Sequence, residues 1–441
     1  MVKNNKQVEA KANKQIKINA KGKFFGTAMG DYSGAPAESY TWYHGPNTEN
    51  KKIIKNNLKM CPLFKNEPED YKYVVRHPAY SKDDTKLSEF LHHCIYKNEN
   101  GMHVTDDTFF SGQGVNAGLQ FFCSENASKK DINWKCRQFY VQYTKNLRQF
   151  ASHKRNSSIV NECGPGTKCF LLGWPTYGSV DRNGSVMRNG QVALFAGSLP
   201  DLNKIVLAMI RNTHYHQYSF DAARSVASVV YMTCCELSQK SIANYIAFEF
   251  ARRYTKKPPI IYKDEENKRP SDYGNGDKFF DFKMYDTVRK VYKDRTDYNY
   301  TETALDNVVV ALRIICVAGS FLEAWRLTKA YAADSDTLQA IVLSMAAFMF
   351  GIPEEFQEEA RTILKSHKSQ DIKGYETTSD ELDNKCSNRY RENAPLEEQL
   401  KKTLELLKDI ENNKSRDMVD INNEIGFNDG KQPFHNYKTV K

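Results

Sequence analysis

The stretch DSDTLQAIVLSMAAFMFGIP, residues 334–353, has a polar head and an apolar body. The body predicts a helix that starts near Asp336, and Gly351 and Pro353 supply the stop. Its apolar run, 338–353, falls short of the roughly 18–20 residues that span a bilayer. This is therefore expected to be a core helix of a soluble protein. The head places Asp334, Ser335, Asp336 and Thr337 at the helix start. A second segment, VTDDTFFS at 104–111, has the same grammar: Thr105, Asp106, Asp107 and Thr108 precede an apolar run. Each segment alone reads as an ordinary N-cap. Together they supply carboxylates and threonine hydroxyls from two helix ends, the oxygen donors that hard cations such as Mg²⁺ take. A helix N-terminus favours anions and helps keep such carboxylates ionised.

Working outward, helical periodicity recurs at 203–211, about 220–253 and 303–331, and Leu87, Phe90, Leu91 and Cys94 mark one helix face. Residues 24–38 run from an apolar helical start into a Gly/Pro turn, and 169–198 read as a long loop. Strand patterns are scarce and no internal repeat occurs, so the expected fold class is all-α. Polar segments at about 125–168 and 255–300 read as insertions. Residues 23–365 are expected to form the main domain. Residues 366–441 hold 13 Lys/Arg and 15 Asp/Glu and read as a charged extension. Leu400, Leu404, Leu407 and Ile410 mark one amphipathic helix in it.

The chain has 441 residues and a net charge of +9. Residues 1–23 hold seven lysines and one glutamate, a net +6, which leaves +3 for the rest. Residues 1–22 are therefore expected to be a disordered basic arm, lacking the apolar content that would repay ordering. It has no apolar core of a signal peptide. Weak nucleic-acid contact through the arm is the most its charge suggests. The ten cysteines form no C-x-x-C pair, which argues against a zinc ribbon and for free thiols in the cytoplasm.

The segment GTAMGDYSGAPAES, 26–39, resembles the G-x-x-x-G-D-A-L-G-A-P-x-E signature that opens the ADP-ribosylglycohydrolase family. Further motifs follow in the family's order. TDDT at 105–108 resembles its first metal motif, NGSVMR at 183–188 its substrate loop, and the stretch from Thr213 its T-H helix start. FLEAWRLTKAYAADSDTLQ…FGIP resembles its closing block.

The resemblance implies a compact orthogonal helical bundle of the ADP-ribosylglycohydrolase type with loop insertions. It also implies a Mg²⁺-dependent ADP-ribosylhydrolase. Thr105, Asp106 and Asp107 would ligate one side of a two-ion centre, and Asp334, Asp336 and Thr337 the other. Mg²⁺ is expected, with Mn²⁺ as a substitute. Glu38, Asp107 and Asp336 are the implied catalytic carboxylates, and Asp31 would support the site. Asn183, Gly184, Ser185 and Met187, with Tyr177, Gly178 and His214, would contact ADP-ribose. The residues themselves leave alternatives open. Glu38 also reads as a surface carboxylate, His214 as an interior histidine, Met187 and Arg188 as packing and an ion pair, and Trp174 and Tyr177 as core or adenine-stacking rings. Departures from the family pattern are Tyr32 in the opening motif and Ala332 and Ala333 in the closing one. The expected partner is an ADP-ribosylated protein, with a mild preference for ADP-ribosyl-arginine. The alternative is a catalytically impaired ADP-ribose-binding or structural protein of the same fold.

Overall fold

The computed structural model describes residues 15–17, 20–44, 104–174, 182–246 except 240 and 244, 304–328, 334–387 and 390–392. The expected helices around Leu87 and Leu400, the 255–300 segment, Tyr177, Gly178, Ala332 and Ala333 lie outside these residues, as does the side chain of Glu38. In chain order the elements are β1 (Gln15–Lys17), α1 (Phe24–His44), α2 (Asp106–Phe122), α3 (Glu125–Ser128), α4 (Ile132–Ser152), α5 (Ser157–Glu162), α6 (Pro165–Leu171), α7 (Leu199–Ile210), α8 (Gln217–Cys234), α9 (Ala304–Val317), α10 (Phe321–Thr328), α11 (Ser335–Phe350), α12 (Glu354–Ser366), α13 (Gln370–Lys373), α14 (Tyr375–Cys386) and β2 (Tyr390–Glu392). The fold is all-α, with one short antiparallel pairing of β1 and β2, Gln15 opposite Glu392.

At the centre α1 lies along α11, and residues 24–34 of α1 and 336–348 of α11 are buried all round. Gly26 and Gly30 make this possible: a methyl at either would overlap the backbone of Leu343 or Gln339. Small residues let two helix backbones approach closely, at the entropic cost of glycine in a helix. The Gly/Pro turn expected after residue 33 does not end α1, which runs on to His44. Pro36 removes one backbone donor, and the helix carries that loss. Gly351, at φ +82°, ends α11 as the sequence suggests.

Other boundaries differ from the sequence reading. The stretch from 220 breaks after α8, where Glu236 takes a positive φ of 55°. The stretch from 303 divides at Ala318–Ser320 into α9 and α10. The supposed insertion at 125–168 contains α4, which packs on α2 and α7. Its buried residues Cys136, Phe139, Tyr143, Leu147 and Phe150 follow a helical period, and Asp131 caps it by accepting from the Asn133 and Trp134 amides. The expected loop at 169–198 instead holds two buried 3₁₀ turns, Asn183–Ser185 and Gln191–Phe195.

Residues 20–22 and 366–387 are drawn into the bundle further than composition suggests. Tyr375 of α14 is fully buried, its ring filling the space left by Gly112 of α2. Its hydroxyl donates to the Phe109 carbonyl at 2.9 Å and accepts from Gln113 at 3.1 Å. The Gly22 amide donates to Asp383 of α14 at 2.8 Å. Residues 20–22 are thus tied to α14, and 366–387 pack on the bundle and are not an appendage to it. Among the described residues, no helix is long and apolar enough to cross a membrane, and the described cysteines are free thiols.

Candidate metal and substrate site

The site is built where the N-termini of α2 and α11 meet the side of α1. Thr105 caps α2, its hydroxyl accepting from the Asp107 amide at 3.4 Å. The cap reading of TDDT therefore holds. Its companion at α11 differs: Asp334 occupies the cap position without a side-chain bond to the helix. Instead its carboxylate accepts from the Asn183 amide group at 2.5 Å.

The two helix ends exchange hydroxyls. Thr337 donates to Asp107 at 3.2 Å, across 230 residues of chain. The Thr105 hydroxyl lies 3.3 Å from Asp107 and 3.4 Å from Asp336. The Asp336 carboxylate also accepts from the Thr337 amide at 2.7 Å.

Asp31, on α1 beside Gly30, is wholly buried beneath this pair. It accepts from the Thr105 amide with both oxygens at 3.0 Å, and from the Thr108 amide at 2.9 Å and hydroxyl at 2.5 Å. Burial pushes its pKa up, and these four bonds oppose that by favouring the carboxylate. With its oxygens so occupied, Asp31 braces the α2 terminus. One carboxylate oxygen each from Asp31, Asp107 and Asp336 lie within 4.8 Å of one another, all buried. Carboxylates this close disfavour one another's charged forms, and a cation held beside Asp107 and Asp336 would offset that. The donors are oxygens only, which suits Mg²⁺, Mn²⁺ or Ca²⁺ better than metals that prefer thiolate or imidazole.

A cavity of about 490 Å³ opens on this cluster. Thr105, Asp106, Asp334, Asp336 and Thr337 line it from the two helix ends. Asp107, 1% exposed, lies beneath the lining. The expected substrate loop supplies Asn183, Gly184, Met187 and Arg188, and His214 completes that wall. Ser185 is buried behind it, its hydroxyl donating to the Arg182 carbonyl at 2.9 Å. Trp174 is 61% exposed, which overturns its reading as core.

Arg188 is 1% exposed and makes no carboxylate ion pair among the described residues, contrary to the ion pair the sequence suggested. Its guanidinium donates to the Gly184 carbonyl at 2.6 Å, the Tyr143 hydroxyl at 3.1 Å and the Thr213 hydroxyl at 3.0 Å, and stacks 4.4 Å from the Phe110 ring centre. The same nitrogen that reaches Thr213 lies 3.0 Å from His214 Nδ1. Burial first, then the Arg188 charge, holds the His214 pKa well below its usual value. A hydrogen on Nδ1 would face the guanidinium, so the contact disfavours an imidazolium at this position.

Sequence reasoning missed one wall. Asn161, Cys163–Lys168, and Arg182 also line the cavity. The signal was GPGTK at 164–168: a Gly-Pro pair opening a short helix, set inside a segment that composition marked as an insertion.

Oxygen donors from two helix N-termini, opening on a polar cavity in a helical bundle, make this an all-α protein with a site suited to a hard cation and a polar ligand. The ADP-ribosylglycohydrolase family model matches residues 13–391, and the chain belongs to that family. Membership points to hydrolysis of ADP-ribosyl linkages. A solved structure described as an ADP-ribosylglycohydrolase-related protein complex is 16% identical, covering 83% of this chain and 96% of its own, with a TM-score of 0.44. No curated protein matches the chain.

Proposed function

We propose that the protein is a Mg²⁺-dependent ADP-ribosylhydrolase that cleaves the C1″ glycosidic bond and releases ADP-ribose. The observation that carries this reading is the meeting of Asp107, Asp336, Thr105 and Thr337 from two distant helix ends beside the cavity. Asp106, Asp334, Asp336, Thr105 and Thr337 would hold the ions from the cavity side, and Asp107 from below. A bound divalent cation supplies Lewis-acid polarisation and a lowered pKa for water. Mn²⁺ meets the same donor chemistry.

The residues then divide the work. Asp107, held by two threonine hydroxyls, fixes the spacing of the two helix ends. Asp336 faces the cavity and is placed to orient a water toward the anomeric carbon and accept its proton. Bond cleavage there develops oxocarbenium character, which neighbouring carboxylates stabilise. Glu38, carried on α1, is the residue assigned to the leaving group. Asn183, Gly184 and Met187 form the wall for the rest of ADP-ribose, with Ser185 supporting it from behind; Tyr177 and Gly178 are assigned to the same ligand from the loop motif alone. ADP-ribosyl-arginine on protein is the favoured substrate, because GDYSGAPAE is closest in pattern to the G-D-A-L-G-A-P motif.

A panel of linkage-defined ADP-ribosylated substrates, assayed with and without Mg²⁺, tests this. Wild-type protein should release ADP-ribose only with the metal. Asp106→Ala and Asp336→Ala should each abolish release, and wild-type-like turnover by either variant refutes the two-helix centre. Wild-type protein that binds ADP-ribose but turns over no linkage would instead support the impaired-member reading.

A further inference from the structure

We propose that Arg188 is a positioning residue that locks His214 in the Nε2–H tautomer, so that His214 presents a fixed, uncharged hydrogen-bond donor to an anionic oxygen in the cavity. The identity of that oxygen, on a phosphate of ADP-ribose, rests on the function proposed above; the lock itself does not.

The argument is one of donors and acceptors. A guanidinium carries only N–H donors and does not lose a proton in a protein. Its Nη2 lies 3.0 Å from His214 Nδ1, so Nδ1 must accept. A hydrogen on Nδ1 would set two donors face to face at this distance. The Thr213 hydroxyl lies 2.8 Å from Nδ1 and 3.4 Å from the Ile210 carbonyl. Because it already accepts from Arg188 at 3.0 Å, it can turn its own hydrogen to the nearer Nδ1. Nδ1, with its single ring lone pair toward Arg188 and Thr213, then carries no hydrogen, and the imidazole hydrogen sits on Nε2.

The other edge of the ring is the one left for a ligand. Among the described residues no hydrogen bond is made to Nε2, and His214 lines the cavity. A methyl added to Gly184 would come within 3.1 Å of Cε1 and Nε2, so the glycine keeps that edge clear. Arg188 is itself immobilised by Gly184, Tyr143 and Phe110. The direction of its Nη2 is thus set by three separate elements, as a tautomer lock requires. The lowered pKa of His214 agrees: burial first, and then the guanidinium charge, disfavour a second proton on the ring. His214 therefore donates a hydrogen bond and does not shuttle protons.

The test is the imidazole nitrogen spectrum of full-length, ¹⁵N-histidine-labelled protein, with His214 assigned by its loss in His214→Gln. The expected result is a protonated Nε2 and an unprotonated Nδ1 across roughly pH 6 to 8, the range where an ordinary histidine titrates. A protonated Nδ1, or averaged nitrogens, overturns the lock in wild-type protein without any variant. In Arg188→Met, provided it folds, the two nitrogens should move toward an averaged mixture and ADP-ribose affinity should fall about tenfold, or about 1.4 kcal/mol. A single Nε2–H tautomer that persists in folded Arg188→Met overturns the role of Arg188. Titrating wild type with ADP-ribose should shift the Nε2 hydrogen, and saturation without any shift overturns the donor role. Failure to turn over any ADP-ribosyl substrate, with the tautomer as expected, would remove the proposed activity and leave the lock standing.

Discussion

At the residue scale the site turns on aspartates that differ in exposure and in what they touch. Asp106, Asp334 and Asp336 reach the cavity, Asp107 lies just beneath it, and Asp31 lies deeper still. The chain spends Asp31 on holding the α2 terminus, with every bond it accepts coming from Thr105 or Thr108. In Asp31→Asn one carboxylate oxygen becomes an amide donor facing donors. Leaving a buried donor unmatched costs about 1–3 kcal/mol. The variant should lose that much stability in urea unfolding. It should also bind Mg²⁺ more weakly by calorimetry, although Asp31 is not placed as a ligand. Unchanged stability and affinity would show that the brace is dispensable. These assignments separate residues that composition treats alike. TDDT and DSDT both looked like caps with spare carboxylates, but only Thr105 caps its helix through its side chain.

At the scale of elements, the bundle depends on how closely α1 lies against α11. The glycines at 26 and 30 are part of the opening motif, and their role proves to be in packing. Gly30 sits next to Asp31, so the contact that seats α1 also sets the depth of the brace. Gly30→Ala should force the two backbones apart. Overpacking a tight contact costs about 1–3 kcal/mol, which chemical denaturation should show together with reduced activity. A variant as stable and active as wild type would mean the helices can separate without disturbing the site. Helix α4 shows the limit of reading composition. Its apolar face follows the helical period, but polar residues on the other face lower the average, so a composition-based boundary took it for an insertion. The burial of Phe139, Tyr143 and Leu147 shows which residues mattered.

At the scale of the whole molecule, residues before α1 meet residues after α12. β1 pairs with β2, Gly22 bonds Asp383, and Tyr375 seats against α2 one turn beyond the metal motif. The C-terminal segment thus backs the helix that carries Thr105, Asp106 and Asp107. Tyr375→Ala empties a large buried site and removes the hydroxyl that donates to the Phe109 carbonyl. The expected loss is about 3–5 kcal/mol, as for other large-to-small aromatic changes, read as a lower midpoint in thermal or urea unfolding. A shift near zero would mean that residues after 366 are the loose extension their charge suggests.

The sequence by itself determined the helical class, the family resemblance and the identities of the carboxylates. These depend on periodicity and on short motifs, which are local properties of the chain. Tertiary structure decided which carboxylates face the cavity, that Arg188 pairs with His214 instead of an acidic residue, that GPGTK forms a wall, and that residues 370–387 belong to the core. Each of these depends on contacts between residues far apart in sequence, and such contacts leave no periodic trace. A buried cation satisfied by a hydroxyl, a carbonyl and an imidazole cannot be told from an ion pair until its neighbours are known.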